Sequence, residues 1–339
     1  MINSCDLPKV SIVISLRNEA PNVSSLIQSL LHQTYQQFDI ILIDDHSEDA
    51  TYSLLKKNLT DKIQLYQLPE HLKGKKQAIR FGIERTDAKL IITTDADCLH
   101  QKDWVSTFVG IYIRTKSKMI SGPVRFSYQN SLFQKIMNAE FGSLILTGAA
   151  SIGLKKPNMC NGANLCFEKN AFLEQNDYAL HAHIPTGDDE FFLHQLAKEN
   201  PEEIVFAKEK AAIVTTSPPA DVHQFIQQRV RWGSKWRYYQ NKSPLIGSIF
   251  IFLFHLCFFI TFFSIFFGSG NYTFFIATII VKAIIETIYN QLILRWQGDK
   301  RNIYLLPFIS LCYPFYAVFI GILSTVGNYQ WKNRFINGK

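Results

Sequence analysis

The chain has 339 residues, enough for one large or two ordinary domains and for a sizeable core. Its formal net charge of +7 is unevenly spread, with −2 on residues 1–217, +4 on residues 218–244 and +5 on residues 245–339. The basic surplus therefore lies beside apolar segments, where the positive-inside bias and anionic lipid headgroups select for it, and it speaks against nucleic acid as a partner.

Residues Met1 to Pro8 offer no basic n-region, long apolar stretch or small-residue cleavage site, so the N-terminal domain is expected to stay in the cytosol. Val10 to Ser15 is a β-branched apolar run, and after Arg17-Asn18-Glu19 the apolar spacing at Val23, Leu26, Ile27, Leu30 and Leu31 changes to that of a helix. Ile40 to Ile43 predicts a second strand ending in Asp44-Asp45, followed by a helix over Thr51 to Leu59. Ile63 to Leu68 predicts a third strand, Lys75 to Glu84 a helix, and Leu90 to Thr93 a fourth strand that stops at Asp95-Ala96-Asp97. Strands and helices alternating at this length imply a parallel α/β sheet with helices on both faces. Ligands of such sheets bind beyond the carboxyl ends of the strands, where both acidic clusters fall.

From Tyr128 the pattern loosens into a helix over Leu132 to Ile145, a Gly and Ala rich stretch to Gly153 and a loop at Asn161-Gly162-Ala163-Asn164. Asp188 to Ala197 reads as another helix, and Val222 to Tyr239 as a basic, aromatic amphipathic helix suited to a membrane surface. Three apolar segments follow, Leu245 to Phe267, Tyr272 to Leu294 and Ile303 to Val326, each longer than the ~20 residues that cross a bilayer core. Lys282 and Glu286 share one face of the second segment, which is either a span whose ion pair faces its neighbours or a partly interfacial helix. Three full spans would put Lys332, Arg334 and Lys339 on the side opposite the soluble domain, against the positive-inside rule. Either the tail is an exception or one segment, the one containing Pro307 and Pro314 being the candidate, is re-entrant. Six cysteines without a C-x-x-C pair read as reduced packing residues.

The chemistry concentrates in a few strings. Asp95 and Asp97, one residue apart after a buried strand, can hold a hard divalent cation that also binds phosphate oxygens, although D-x-D alone is a common string. Asp44 and Asp45 can accept hydrogen bonds from a base or ribose, or serve the next helix as caps. Lys75 opens its helix after Gly74, where a cation and free backbone amides could meet a diphosphate. Thr186-Gly187-Asp188-Asp189-Glu190 sets three acidic residues at a helix start. The helix dipole accounts for one or two of them; the crowding of three suits a general base. Gln228-Arg229-Val230-Arg231-Trp232 on the basic helix would alone be an ordinary interfacial anchor.

In order and spacing the strings VSIVISLRNE, IILIDDHSEDAT, GKKQAIRFGI, IITTDADC, NGANLCF, TGDDEFFLHQL and QQRVRW resemble the family 2 glycosyltransferases, from Val10 to about Trp236 and including the trailing spans. The resemblance implies a GT-A fold, a Rossmann-like, mostly parallel α/β catalytic domain followed by C-terminal transmembrane helices. It implies a nucleotide-sugar-binding half over residues 1–128, an acceptor-binding half with the base over 129–217, an interfacial helix over 218–244, a transmembrane region over 245–326 and a basic tail over 327–339. It further implies an inverting transfer in which Asp44 and Asp45 contact the nucleoside, Lys75 stands near the donor diphosphate, and Asp95 and Asp97 bind donor and Mg²⁺ or Mn²⁺, with Asp97 the direct ligand. Asp189 would be the catalytic base, and Gln228, Arg231 and Trp232 would close over nucleotide and acceptor. The expected partners are a UDP- or GDP-linked sugar, a lipid-linked or membrane-proximal acceptor, and the membrane, which a multi-pass protein enters with its catalytic domain cytoplasmic. The sequence departs from the family pattern at Ser15-Leu16, where many members have Pro and an aromatic, and at Asp188, where Glu is usual. Three spans are fewer than large polymer synthases use, which favours single transfer over a processive polysaccharide synthase; a non-catalytic assembly protein of the same fold is the other alternative.

Overall fold

The computed structural model describes residues 7–127, 131–174, 187–235, 242–268, 271–298, 303–326, 329–331 and 334–336. Two compact units are present, one of residues 1–127 and 145–217, the other of residues 128–144 and 218–339.

The first unit is built on a seven-stranded sheet. Strand β1 (Val10–Leu16) lies inside it, with β2 (Phe38–Asp44) and β3 (Ile63–Gln67) on one side and β4 (Leu90–Thr94) on the other, all four parallel. Val10, Ile12, Val13, Ile14 and Leu16 are fully buried, as expected of a parallel strand covered on both faces. Because the chain steps outward from β1 to β3 and then returns to the far side of β1, the order reverses between β1 and β4. A crevice opens there at the carboxyl ends. The sheet continues through β8 (Asn164–Glu168), antiparallel to β4, then β6 (Met119–Ser121) and β9 (Ile204–Phe206). A smaller sheet pairs β5 (Cys98–Leu99) and β7 (Val124–Phe126) with β10 (Val214–Thr216).

Helices α1 (Val23–Leu31), α2 (Thr51–Lys57) and α3 (Lys75–Ile83) follow the strands as the periodicity predicts, and α4 (Trp104–Thr115), not foreseen in the sequence, follows β5. In α1 the buried residues are Val23, Leu26, Ile27 and Leu30, one helical stripe. At Gly82 of α3 an added Cβ would come within 2.6 Å of Ile43 and Val13 side-chain atoms, so glycine is what lets this helix settle onto β1 and β2. The helix expected over Leu132 to Ile145 runs on through the Gly and Ala rich stretch, α5 covering Leu132–Gly153; the helix cost of glycine is accepted at Gly148, where an added Cβ would stand 3.1 Å from Met159. Helix α6 (Lys169–Leu173) and α7 (Asp188–Glu199) bring Phe172 and Phe192 against Phe167 of β8, at 5.3 and 5.2 Å between ring centroids.

In the second unit α8 (Val222–Gly233) starts at Asp221, whose carboxylate accepts the Gln224 N–H at 2.8 Å. The expected extension of this helix to Tyr239 lies outside the described residues beyond Lys235. Helices α9 (Lys242–Phe266), α10 (Tyr272–Trp296) and α11 (Leu306–Val326) contain three stretches long and apolar enough to cross a membrane, Leu245–Ile265, Tyr272–Trp296 and Ile303–Thr325, with mean hydropathy of 2.4, 1.6 and 1.9. Only 11% of the most apolar window in each of the first two is buried, and side chains such as Phe250, Phe254, Ile284 and Ile288 point outward, which suits lipid and not water. Lys282 does face its neighbours: its ammonium meets Glu286 Oε2 at 2.7 Å and, on α11, the Ser310 carbonyl at 2.6 Å. Pro314 sits inside α11, and having no N–H it leaves the carbonyl four residues back, that of Ser310, to Lys282. A short hairpin of β11 (Tyr329–Trp331) and β12 (Arg334–Ile336) follows, with β11 against α8.

Candidate active site

Two loops leaving neighbouring strands are laced into one wall. The chain turns through positive φ at Asn18 (51°) after β1 and at His46 (56°) after β2, a conformation that asparagine and histidine tolerate better than most residues. Asn18 N–H donates to Ser47 Oγ (3.1 Å), Glu48 N–H to Asn18 Oδ1 (2.8 Å) and Glu19 N–H to Thr51 Oγ1 (2.7 Å). Arg17 donates to the carbonyls of Asp45 and His46, both at 3.1 Å.

Asp44 ends β2, opposite Leu16 in register, and is buried. Its Oδ2 accepts the Ser47 N–H (3.2 Å), so the capping reading holds, while its buried Oδ1 has no protein donor. A buried carboxyl oxygen without a partner at a strand end is an acceptor waiting for a donor. The buried carboxylate of Asp45 receives the Gly74 N–H at 3.1 Å, and Gly74, at φ 93°, is the residue that starts α3. Lys75 is the first residue of that helix, and its ammonium pairs with Asp95.

The D-x-D carboxylates follow β4 directly. Asp97 is half-buried; its Oδ2 accepts the hydroxyl of Thr216 from β10 (2.9 Å). Burial first, then the charge of Asp95, with that of Glu19 adding to it, push the Asp97 carboxyl up to about 6, against the opposing Thr216 hydrogen bond. Lys75 thus meets one carboxylate, Asp95, which in turn lies close to that of Asp97. This crowding of negative charge fits a divalent cation. Among the described residues no three His, Cys, Asp or Glu side chains form a metal cage, so a cation here would complete its shell with phosphate oxygens and water, as Mg²⁺ does. Beneath the pair, His100 bridges Thr94 Oγ1 (2.8 Å) and Ser29 Oγ (3.0 Å), and burial holds its pKa down to about 3, so it is a neutral strut.

Asp189 stands on the first turn of α7, which begins after Gly187 at φ 89°. Its Oδ2 accepts the Gly162 N–H (2.8 Å) and its Oδ1 the Glu190 N–H (2.9 Å). The Gly162 carbonyl is in turn held by the Thr93 hydroxyl (3.0 Å), two residues before Asp95. Asn164, the other end of the Asn-Gly-Ala-Asn loop, is fully buried and structural: it accepts from Trp104 Nε1 (2.9 Å) and donates to the carbonyls of Pro123 and Ala212 (both 2.8 Å).

The structure therefore gathers Asp44, Asp45, Lys75, Asp95, Asp97 and Asp189 within the first unit through short relays that all touch the ends of β2 and β4. Gln228, Arg231 and Trp232 belong to the second unit, half-buried at i, i+3 and i+4 on α8. Thr216, Glu19 and Gly162 were not foreseen as partners of the acidic residues; the fixed spacing of Asn-Gly-Ala-Asn was the one hint of a constrained loop.

A family model described as glycosyl transferase family 2 matches residues 11–169. Those residues are a family 2 glycosyltransferase domain. Among curated proteins, glycosyltransferase AglE of Haloferax volcanii is 27% identical over 128 residues, 37% of this chain and 42% of the relative. The poly-beta-1,6-N-acetyl-D-glucosamine synthase of Staphylococcus aureus is 24% identical over 182 residues, 51% of this chain and 42% of the relative. The chain thus spans less than half the length of these curated relatives. The solved mannosyltransferase PcManGT from Pyrobaculum calidifontis, in complex with GDP-Man and Mn²⁺, superposes with a TM-score of 0.56 at 15% identity, over 90% of this chain and 87% of that one. The family 2 domain has the GT-A fold, with the three apolar helices C-terminal to it.

Proposed function

We propose that the chain moves a sugar from a UDP- or GDP-linked donor to a hydroxyl of a lipid-linked or membrane-proximal acceptor, with inversion at the transferred carbon. The observation that carries this reading is the relay Asp189–Gly162–Thr93, which sets a carboxylate beside the strand whose end bears Asp95 and Asp97. Asp44 and Asp45 receive the nucleoside, the former through its undonated oxygen. Lys75 lies at the diphosphate. Asp97 and Asp95 would hold Mg²⁺ or Mn²⁺, which neutralises charge on the departing nucleoside diphosphate, as the Mn²⁺ and GDP-Man complex of a protein of the same fold illustrates. Asp189 takes the acceptor proton, its orientation set by the Gly162 and Glu190 backbone N–H donors. One base acting opposite the leaving group gives inversion. Gln228, Arg231 and Trp232 keep the role in donor and acceptor closure that the resemblance implies.

The three apolar helices tie the enzyme to the membrane, with the catalytic domain on the cytoplasmic face. The end of α11 lies on the end of α8, where an added Cβ on Gly233 would meet Ser324 Oγ at 2.3 Å, and β11 also rests on α8. This supports a last apolar helix whose C-terminal end lies on the α8 side, in keeping with the positive-inside rule. Cysteine introduced at Arg334 should then be labelled by impermeant reagent only from the side that labels α8.

The functional test is a screen of UDP- and GDP-sugars for metal-dependent donor hydrolysis by the detergent-purified chain, with Asp97→Ala as control. If no donor binds or turns over, the reading fails. Product length separates single transfer, expected here, from the processive synthesis that the similarity to the polysaccharide synthase would favour.

A further inference from the structure

Of the two residues between the signature positions Gln228 and Trp232 that the resemblance leaves without a role, Val230 and Arg229, the second is a buried cation with partners on three elements. Its side chain is 4% exposed, and the Glu140 side chain it meets on α5 is 5% exposed. Arg229 Nε donates to Glu140 Oε1 at 3.0 Å and Nη2 to Oε2 at 2.5 Å, a forked pairing. Its other edge is turned to the signature: Nη1 donates to Gln228 Oε1 at 2.5 Å. Its flat face lies over the Trp232 ring at 4.4 Å and the Phe225 ring at 4.6 Å. Glu140 is gripped from a third element as well, accepting the Tyr316 hydroxyl of α11 at 3.0 Å, while Phe225 stacks on Tyr316 at 5.8 Å. Phe141, next to Glu140, packs on Trp232 at 5.9 Å.

A buried ion pair is a poor device for stability alone, because apolar residues of similar volume often do as well. What it supplies is direction. A guanidinium offers two hydrogen-bonding edges and a flat face in one rigid plane; a lysine ammonium offers none of these in fixed relation. Here one edge anchors the plane, the other edge orients Gln228, and the face orients Trp232. We infer that Arg229 is a positioning residue that holds Gln228 and Trp232 in their working rotamers, and that Glu140 and Tyr316 extend its anchorage into the last apolar helix. The inference rests on the proposed glycosyl transfer for what Gln228 and Trp232 do, and on geometry for what Arg229 does to them.

The test compares full-length, detergent-purified variants. Glu140→Gln combined with Arg229→Met removes both buried charges and keeps an acceptor for Tyr316, so the thermal midpoint should stay within a few degrees of wild type. Donor turnover should nonetheless fall about 30- to 100-fold in kcat, with donor KM changed less than about 3-fold, as for groups misplaced by an ångström. Arg229→Lys, which keeps the charge and loses the plane, should show the same split. Tyr316→Phe, lacking one oxygen, carries the test at about 3- to 10-fold in kcat should the double variant aggregate. A second readout needs no activity: amide hydrogen exchange across residues 222–233 should quicken about 10-fold in the folded double variant. Wild-type kcat in Arg229→Lys or in the folded double variant, or unchanged exchange over α8, overturns the inference. A wild-type protein that turns over no donor would instead defeat the glycosyl-transfer reading, and the exchange measurement would still decide whether Arg229 orders α8.

Discussion

The two units treat charge in opposite ways. At the strand ends of the first, Asp95 and Glu19 lie close enough to raise the cost of ionising Asp97, and Asp44 keeps an oxygen without a donor. In the second, the buried charges are matched inside the protein: Arg229 by Glu140, and Lys282 by Glu286 and Ser310. A surface that meets a charged substrate can be left short of countercharge, because the substrate and its cation supply it. A surface that meets lipid cannot, since no water or ion arrives to complete it.

The comparison breaks most visibly at the carboxylates. Asp189→Asn should lower kcat by about 10²- to 10⁴-fold with little change in donor binding, as expected of a lost general base. Chelation should silence the wild type, and Mn²⁺ or Mg²⁺ should restore it, while Asp97→Ala should not respond to either ion; isothermal titration with the nucleotide in both states checks this. Next in size, Lys282→Met should destabilise the detergent-solubilised chain by about 3 kcal/mol, because Glu286 is left as an uncompensated charge, and adding Glu286→Gln should recover most of it. Thermal unfolding reads both.

Asp97 offers a smaller test with a defined sign. Its folded-state pKa is raised from 3.8 to about 6, so without metal the folded chain binds this proton more tightly than the unfolded chain, and stability declines as pH rises from about 4 through about 6. Asp97→Asn removes the penalty. In chelator it should therefore gain about 1–2 kcal/mol over wild type at pH 8 and nothing at pH 4, while losing activity. The smallest effect is expected at Gly162→Ala. The new Cβ would stand 3.3 Å from Asp189 Oδ2, shifting the base by a few tenths of an ångström and lowering kcat about 5- to 10-fold without loss of fold.

Much of the first unit could be read in the sequence because its information is local. Apolar β-branched runs followed by acidic residues mark strand ends, and strand ends in parallel sheets mark the site, so Asp44, Asp45, Asp95 and Asp97 could be found from their neighbours. The partners of those residues could not. Thr216 reaches Asp97 across 119 residues of chain and Gly162 reaches Asp189 across 27, and no periodicity encodes which distant hydroxyl or amide will turn toward a carboxylate. The ion pair of Lys282 and Glu286 was legible because four-residue spacing puts both on one face. Glu140 and Arg229, 89 residues apart, carry no such mark, and Arg229 passed as one more basic residue of an interfacial helix. The continuation of α5 from Ile145 to Gly153 was not legible for a different reason: glycine and alanine are ambiguous until a neighbour such as Met159 shows why small side chains are needed.

Pro314 and Lys282 together also bear on how far the last two helices can slide. A proline opens one rung of α11 at a single height, and only an ammonium reaching from α10 at that height fills it. A shift by one turn would strand a bare carbonyl and a bare cation in hydrocarbon at once, so this pair acts as a bolt that sets the register of two largely apolar helices.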